Sequence, residues 1–180
     1  CLANALPVLR EYDMTATAYI PAGLVENGGM IDRYLGAPDA GRLLRWEELR
    51  ALKAAGWDIG SHAMTHRCLT DVLRDELEQE IAGSRALIGE RLGEAPRSFC
   101  YPRGFLNAEI LAYVRSVGYE SAVGVWPGGN RMGAAFWSLC RTEISGADSI
   151  SDFAWKIRGG FDVVQRWRAG ARPIRVPGAS

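Results

Sequence analysis

The chain contains two histidines, four positions apart, in the segment Ser61-His62-Ala63-Met64-Thr65-His66. In a helix or a tight turn this spacing places both imidazoles on one side of the chain, where they can share one metal ion. The pair follows a predicted strand, and α/β folds build their sites at the carboxyl ends of parallel strands. We therefore interpret His62 and His66 as metal ligands. The alternative interpretation is two ordinary surface or core histidines.

A second candidate feature is the turn Phe99-Cys100-Tyr101-Pro102-Arg103-Gly104, which also follows a predicted strand. Proline and glycine impose an abrupt change of direction, and such a turn can present a backbone N–H that stabilises an oxyanion on a neighbouring substrate. The alternative is a plain connection between a strand and a helix.

Aromatic side chains near predicted strand ends or loops are candidates for substrate contact. Tyr101 and Trp126 are the two that we assign to substrate binding, and Tyr19 and Trp137 lie in similar positions. Flat rings of this kind offer faces for other rings to stack on. Large aromatic residues are nevertheless more often part of the core.

Helical and extended patterns alternate along the chain and must position these residues. The apolar spacing and the cap residues predict helices over 2–12, 46–55, 70–92 and 107–117, with strands over 15–20, 57–60, 97–101 and 119–125. The third helix is predicted to be capped by Thr70 or Asp71 and to end at Gly93. A strand over 138–144 and helices over 149–158 and 162–168 complete the prediction. Strict alternation predicts an α/β fold with parallel strands and helical crossovers, in a barrel or an open sheet.

Composition and charge exclude several classes of protein. The 180 residues are 48% apolar and 23% charged, which suits a single folded domain over 1–180. The 21 basic and 21 acidic residues leave no net charge, which argues against a nucleic-acid or anionic membrane partner. No apolar run approaches the roughly 20 residues of a membrane span. The four cysteines lack the spacing of a zinc ribbon and are interpreted as mostly buried thiols.

The segments described above resemble the polysaccharide deacetylase family, the NodB-homology domains or family 4 carbohydrate esterases. The resemblance rests on the stretch from Trp57 to His66, on Leu69, on the turn from Phe99 to Gly104 and on their spacing. Residues 5–9 with 15–20, and 139–144, are similar to that family's first helix, second strand and late strand. The resemblance implies a distorted (β/α) barrel of about seven parallel strands. It also implies metal-dependent removal of acetyl groups, mainly N-acetyl, from a glycan or polysaccharide.

Carried over to this chain, the resemblance makes His62 and His66 the histidine ligands of a divalent metal. Zinc is the first expectation, and cobalt, nickel or iron also suit such ligands. Pro102 and Gly104 match the family's site-shaping turn, and the backbone N–H of Arg103 becomes the oxyanion donor. The same family acts in extracellular, periplasmic and cytoplasmic settings, so the resemblance predicts no compartment.

The chain also departs from the family pattern. Ala63 stands where the family usually has Ser or Thr, which predicts the loss of one hydrogen bond that braces the loop. Cys100 stands where the family often has an Arg that orients the catalytic aspartate. The chain has no Asp-Asp pair and no third histidine. The family's general base and third metal ligand come from an Asp-Asp-Gly motif on its first strand, so we expect the chain to lack that strand.

Two alternatives remain open beside a deacetylase. A degenerate domain of the same fold could bind carbohydrate without catalysis. A glycoside hydrolase needs two carboxylates about 5 to 10 Å apart at strand ends. Asp58 and Glu120 are the acids in predicted strands, and neither lies at a carboxyl end, which disfavours the hydrolase. Asp148 is best interpreted as part of a helix-capping segment rather than as a replacement ligand.

Overall fold

Four parallel strands form the sheet of this chain. The computed structural model describes residues 2–31, 42–126, 128–130 and 132–160. In these residues the order of strands in the sheet is the order along the chain: β1 Thr17–Ile20, β2 Asp58–Ser61, β3 Ser98–Cys100 and β4 Ser121–Val123. Parallel neighbours cannot be joined by a hairpin, so each connection crosses over the sheet. The α/β class that the alternating pattern predicts is confirmed.

Helices occupy these crossovers, and one further helix precedes the first strand and another follows the last. Their bounds are α1 Ala5–Glu11, α2 Ala22–Glu26, α3 Trp46–Ala54, α4 Ser84–Leu92, α5 Ala108–Ser116 and α6 Ile150–Ile157. Two predicted boundaries are confirmed in detail. The Asn107 side chain accepts a hydrogen bond from the Ile110 N–H at 2.9 Å, and Gly93 ends α4 in the left-handed region at φ 77°.

One face of the sheet carries the core. On this face, one residue from each strand lies beside its partner in the next strand, and all four are buried: Ile20, Ser61, Phe99 and Ala122. Helices pack over them in two apolar clusters, one centred on Phe99 and Tyr119 and the other on Leu49, Leu52 and Trp57. Packing of the helices against the sheet therefore fixes the positions of the strand ends.

The barrel of about seven strands is not confirmed, since the described residues form four strands. The strand expected over 138–144 is reduced to one parallel bridge between Val123 and Leu139. The Leu139 N–H donates to the Ala122 carbonyl and the Leu139 carbonyl accepts the Gly124 N–H, each at 2.9 Å, as in a parallel ladder. The Gly124 carbonyl, which a continued ladder would pair with the Arg141 N–H, accepts instead from the Arg141 Nε at 2.8 Å. The ladder that the apolar pattern predicts therefore ends after Leu139.

The helix predicted from Thr70 or Asp71 begins later. Residues Leu69–Asp71 form a single 3₁₀ turn, and Leu73 is 66% exposed rather than on a buried stripe. The Glu76 carboxylate accepts the Leu73 N–H at 3.3 Å, which is one half of a capping box. The capping group is therefore an acid inside the first turn, not Thr70 or Asp71.

The described chain ends in α6, whose start is confirmed. Ser149 and Asp152 exchange hydrogen bonds as a capping box, with the Asp152 N–H donating to Ser149 Oγ at 3.1 Å. Asp148 forms an ion pair with Lys156 at 2.8 Å and accepts the Ser145 N–H at 2.8 Å. Both contacts lie within the segment around the start of α6, as its interpretation as a capping residue predicts. The helix predicted over 162–168 lies outside the described residues.

The described helices are all too short or too polar to cross a membrane. Cys100 is buried, whereas Cys68 and Cys140 are only half-buried, and all three are free thiols. Burial of the cysteines is thus confirmed in full only for Cys100.

Candidate functional site

The histidine loop, residues 62–66, leaves the carboxyl end of β2. The His62 N–H donates to the Ile20 carbonyl at 2.8 Å, so the hydrogen bonding between β1 and β2 continues into the first residue of the loop. The His62 ring is fixed from the other side of β2, where its Nδ1 lies 2.7 Å from the Cys100 carbonyl oxygen at the end of β3. A carbonyl can only accept, so Nδ1 carries the hydrogen and Nε2 keeps its lone pair.

The second imidazole lies against the first. The ring centroids of His62 and His66 are 4.8 Å apart, with the ring planes at 71°. His66 reaches this position with a left-handed backbone, at φ 66°, and Ala63 does the same at φ 63°. Residues with a Cβ seldom adopt this conformation, which persists where the surroundings over-determine it. The structure therefore brings together the two histidines that the spacing singles out.

Helix α2 holds the carbonyl groups of the histidine loop. The Ala22 N–H donates to the Ala63 carbonyl at 3.0 Å, and the Gly23 N–H donates to the Met64 carbonyl at 2.9 Å. A side chain at position 23 would place its Cβ 2.9 Å from the Met64 carbonyl oxygen, a distance that real Cβ atoms do not show. Glycine at position 23 is thus required for the helix to approach the loop.

Glu80 holds the N–H groups of the same loop. Its Oε2 accepts from the N–H of Met64 and of Thr65, each at 3.0 Å, and its Oε1 accepts from the Thr65 hydroxyl. Sequence reasoning missed Glu80, although a signal was present. It lies three residues after Leu77 and just before Ile81, on the buried side of an apolar stripe where an acid needs a partner.

The protonation of His62 suits metal binding. Burial lowers the pKa of His62 to about 4, the hydrogen bond with the Cys100 carbonyl opposes this shift, and the nearby His66 and Arg141 add to it. The imidazole is therefore neutral at pH 7. Neutral imidazole is the form that binds a metal, so no proton must leave His62 first.

The turn Pro102–Gly104 forms the neighbouring wall of the site. The Gly104 N–H closes it by donating to the Tyr101 carbonyl at 2.9 Å. Arg103 lies at its apex with a left-handed backbone, at φ 57°. Gly104 is also left-handed, at φ 77°, and a Cβ there would lie 3.1 Å from the Val125 nitrogen. The predicted abrupt turn is present, with the backbone of Arg103 at its tip.

A cavity of about 650 Å³ joins the two walls. His62, His66 and Arg103 all line it, so the residues predicted for metal and oxyanion binding face one space. Its charged lining also includes Arg67, Arg141 and Asp71. An open space lined by two imidazoles and by guanidinium groups suits a polar ligand with negative or partly negative oxygens.

Arg141 is a second residue that the sequence reasoning missed. Its Nη2 lies 3.0 Å from the Cys100 Sγ, its Nε donates to the Gly124 carbonyl at 2.8 Å, and its guanidinium lies 5.5 Å from the Tyr19 ring centroid. Cys100 occupies the place where the family resemblance expects an arginine. Arg141 brings a guanidinium to that place from 41 residues further along the chain, a separation that leaves no local signal.

The aromatic candidates separate into core and surface. Tyr101 is fully buried, and its hydroxyl donates to the Trp137 carbonyl at 2.9 Å, so its ring is not available to a substrate. Trp137 is also engaged, because its Nε1 donates to the Tyr119 carbonyl at 2.8 Å. Trp126 is half-buried and lies over Gly124. Of the two assigned substrate contacts, only Trp126 keeps exposed ring surface.

The donor set fits a metal ion in part. Two histidines, one of them oriented through its Nδ1–H by a backbone carbonyl, are side chains of the kind that zinc and similar ions bind. Across the described residues, no group of three or more His, Cys, Asp or Glu side chains lies close enough to hold an ion. The described residues thus bring together two histidines whose chemistry suits a metal ion, without a third donor beside them.

Comparisons with known proteins establish the family of this chain. The family model for polysaccharide deacetylases matches residues 1–122, which is more than half of the chain. The chain belongs to the polysaccharide deacetylase family. Both histidines and the turn Pro102–Gly104 fall inside the matched region. Deacetylases of this family are generally metal-dependent.

Among curated relatives, YxkH of Bacillus subtilis, whose name assigns it to the polysaccharide deacetylases, is 27% identical over 150 residues. The match covers 83% of this chain and 49% of that protein, so the chain spans about half the length of this deacetylase relative.

Solved deacetylase structures share the fold. The Streptococcus pyogenes deacetylase PplD, solved in complex with acetate, matches with a TM-score of 0.71 at 23% identity, over 84% of this chain and 62% of that one. A family 4 carbohydrate esterase pseudoenzyme, BA3943 from Bacillus anthracis, matches with a TM-score of 0.52 at 16% identity, over 65% of this chain and 36% of that one. At these identities the likeness shows the fold alone.

Proposed function

We propose that this chain is the histidine-bearing part of a metal-dependent hydrolase that removes acetyl groups, mainly N-acetyl, from a polysaccharide or glycan. One observation carries the proposal. His62 and His66 lie side by side at the end of a parallel strand, in a cavity that the Arg103 turn also lines. Membership of the polysaccharide deacetylase family supports the same substrate class.

His62 and His66 would hold a divalent metal, with zinc as the first expectation and cobalt, nickel or iron also suited. When bound, the metal would act as a Lewis acid toward an acetyl carbonyl and lower the pKa of water. The orientation of His62 by the Cys100 carbonyl keeps its Nε2 available for this purpose.

The Arg103 backbone N–H would donate a hydrogen bond to the developing oxyanion. Pro102 and Gly104 fix the turn on either side of it, and the left-handed φ of Arg103 sets the direction of the peptide group. A backbone donor held in this way needs little reorganisation during the reaction. The half-buried face of Trp126 is proposed to stack against a sugar ring of the substrate.

The general base and the third ligand are acids that the family resemblance places on a first strand. The 180 residues contain no Asp-Asp pair, and the described residues show no third donor beside the two histidines. We propose that residues 1–180 form one deacetylase domain.

Metal content and acetate release test the proposal together. Both are measured on the 180-residue chain and on the chain as its gene encodes it, purified without a histidine tag, with an N-acetylglucosamine oligosaccharide as the probe. About one divalent ion per gene-encoded chain, with acetate release that a chelator stops, supports the proposal. If neither form retains metal and neither releases acetate, the non-catalytic carbohydrate-binding domain takes its place.

A further inference from the structure

Glu80 is the one buried residue with a charged side chain in the part of the chain that the structure describes. It is 4% exposed, and no arginine, lysine or histidine side chain donates to it in the hydrogen bonds of the described residues. Its three partners are instead the N–H groups of Met64 and Thr65 and the Thr65 hydroxyl. Both carboxylate oxygens are thus committed to the histidine loop.

The helix around Glu80 is irregular at the same place. Residues Gln79–Gly83 form a π-helical turn immediately before α4. The Ile81 carbonyl accepts from the Ser84 hydroxyl at 2.9 Å and from the Tyr119 hydroxyl at 3.2 Å. Single π turns inside helices are rare, and many of those that do occur lie at functional sites.

The π turn contacts the histidine loop, and the first residue of α4 contacts the strand residue that precedes the loop. Ser84 Oγ lies 2.8 Å from the Oγ of Ser61, the residue before His62. Glu80 takes the N–H groups of the two residues that precede His66 in the middle of the loop. The N–H groups of helix α2 donate to carbonyl groups of the loop. The polar backbone of the loop is therefore hydrogen-bonded both to α2 and to the π turn that carries Glu80.

We propose that Glu80 is a positioning residue that holds the histidine loop in its metal-binding conformation, and that it does the work of the loop-bracing hydroxyl that is absent at Ala63. The inference rests on the proposed function, because it concerns the same metal site. Glu80 itself reaches neither a substrate nor the ion; it acts through the backbone of the loop.

The conformation of the loop explains why such a residue is needed. Ala63 and His66 are both left-handed, at φ 63° and φ 66°, and neither is glycine. A left-handed backbone is unfavourable for a residue with a Cβ, so the loop keeps this shape only while its contacts enforce it. Hydrogen bonds to a buried carboxylate are the stronger contacts of this kind.

The test compares three substitutions with a matched control. Glu80→Met removes all three acceptor contacts, Glu80→Gln retains a carbonyl oxygen for the two N–H groups, and Thr65→Val removes only the hydroxyl. Glu78→Met is the control, because Glu78 is an exposed acid two residues away in the same segment. Two measurements are made on each variant of the untagged gene-encoded protein: the zinc dissociation constant, and the ¹⁵N signals of the two histidines in metal-free protein at pH 7.5.

Glu80→Met is expected to weaken zinc binding by about 10- to 100-fold, the usual effect of losing a group that orients metal ligands. Its metal-free His62 signals should move from a single Nδ1–H tautomer toward averaged values. Glu80→Gln should restore most of the zinc affinity and the tautomer, and Glu78→Met should match the unsubstituted chain. This rescue would not be seen if Glu80 served stability alone.

The proposal is overturned if folded Glu80→Met keeps both the zinc affinity and the His62 tautomer. If Glu80→Met does not fold, Thr65→Val decides in its place, with several-fold weaker binding supporting the proposal and unchanged binding and signals overturning it. If the unsubstituted chain binds no zinc, the proposed function fails, and the tautomer signals alone decide whether Glu80 positions the loop.

Discussion

The Nδ1 of His62 lies 2.7 Å from the carbonyl oxygen of Cys100, across two neighbouring strands of the sheet. This contact fixes the ring rotation and the tautomer of His62 from a residue 38 positions further along the chain. It also joins the two motifs that the sequence presents separately, since Cys100 begins the turn that carries Arg103. Histidine ligands in metal sites commonly receive this kind of support from a backbone carbonyl.

Removal of either histidine should abolish stoichiometric zinc binding. His62→Ala and His66→Ala each leave one imidazole, too few ligands for a stable site. Elemental analysis of untagged protein measures the effect directly, because the chain has no other histidine. Cys68→Ser is the control, since Cys68 lines the same cavity without a proposed role and should leave zinc content unchanged. Zinc retained by both histidine variants would refute the metal assignment.

The side chain of Arg103 should matter less than its backbone. In the gene-encoded protein, Arg103→Ala keeps the N–H at the tip of the turn and should lower kcat/KM by less than about tenfold. Removal of an oxyanion donor costs about 100- to 1000-fold in kcat, so a loss of that size in Arg103→Ala would assign the role to the guanidinium instead. Steady-state acetate release gives the comparison.

Gly104 and Gly93 form a matched pair for a stability measurement. Both have φ 77°, but a Cβ at position 104 meets the Val125 nitrogen at 3.1 Å, whereas at position 93 it meets nothing within 4 Å. Gly93→Ala should cost about 1–2 kcal/mol from the left-handed backbone. Gly104→Ala adds overpacking of about 1–3 kcal/mol. Urea unfolding measures both, and equal losses would contradict the close approach of Val125.

The Glu48 carboxylate should contribute to stability in a pH-dependent way. Hydrogen bonds from Arg42, and then from the Arg45 N–H, lower the pKa of Glu48 to about 2. Because the pKa is lower in the folded state, the stabilisation is present above the ordinary pKa and is lost as the pH falls from about 5 towards 2.

Glu48→Gln should therefore lower the urea midpoint at pH 7 more than at pH 3. The effect is expected to stay below about 1 kcal/mol, since the ion pair faces solvent. Glu47→Gln is the control, because the Glu47 side chain is 78% exposed and lies 3.4 Å from Arg50. Equal shifts at the two pH values would show that the Arg42 contact contributes nothing.

Local patterns in the sequence predict the elements and the histidine pair well. Asn107, Gly93 and Ser149 mark helix ends through contacts within a few residues, and such contacts are encoded locally. The position of His62 and His66 after a buried strand is likewise a local property. The histidine pair and the Arg103 turn share a cavity because parallel strands end at the same edge of a sheet.

Contacts between distant segments escaped the sequence analysis. Glu80 meets Thr65 from 15 residues away and Arg141 meets Cys100 from 41 residues away, and neither separation follows from a periodic pattern. Tyr101 was assigned to substrate because it lies in the turn motif, but packing with Phe99 turns its ring into the core. The start of the helix before α4 was misplaced because Glu76, inside the first turn, supplies the cap.

The attachment of the histidine loop to α2 and to Glu80 has a consequence for motion. Thr65 is exposed, yet its N–H donates to the buried carboxylate of Glu80. Exchange of this amide hydrogen with deuterated water therefore requires the loop to separate from the helix that carries Glu80. Local openings of this kind need the rupture of several bonds at once. The Met64 and Thr65 amides should then exchange as slowly as those of the strands. A metal ion would therefore bind to a loop that folding has already ordered, so binding would not have to offset the loss of conformational entropy in that loop.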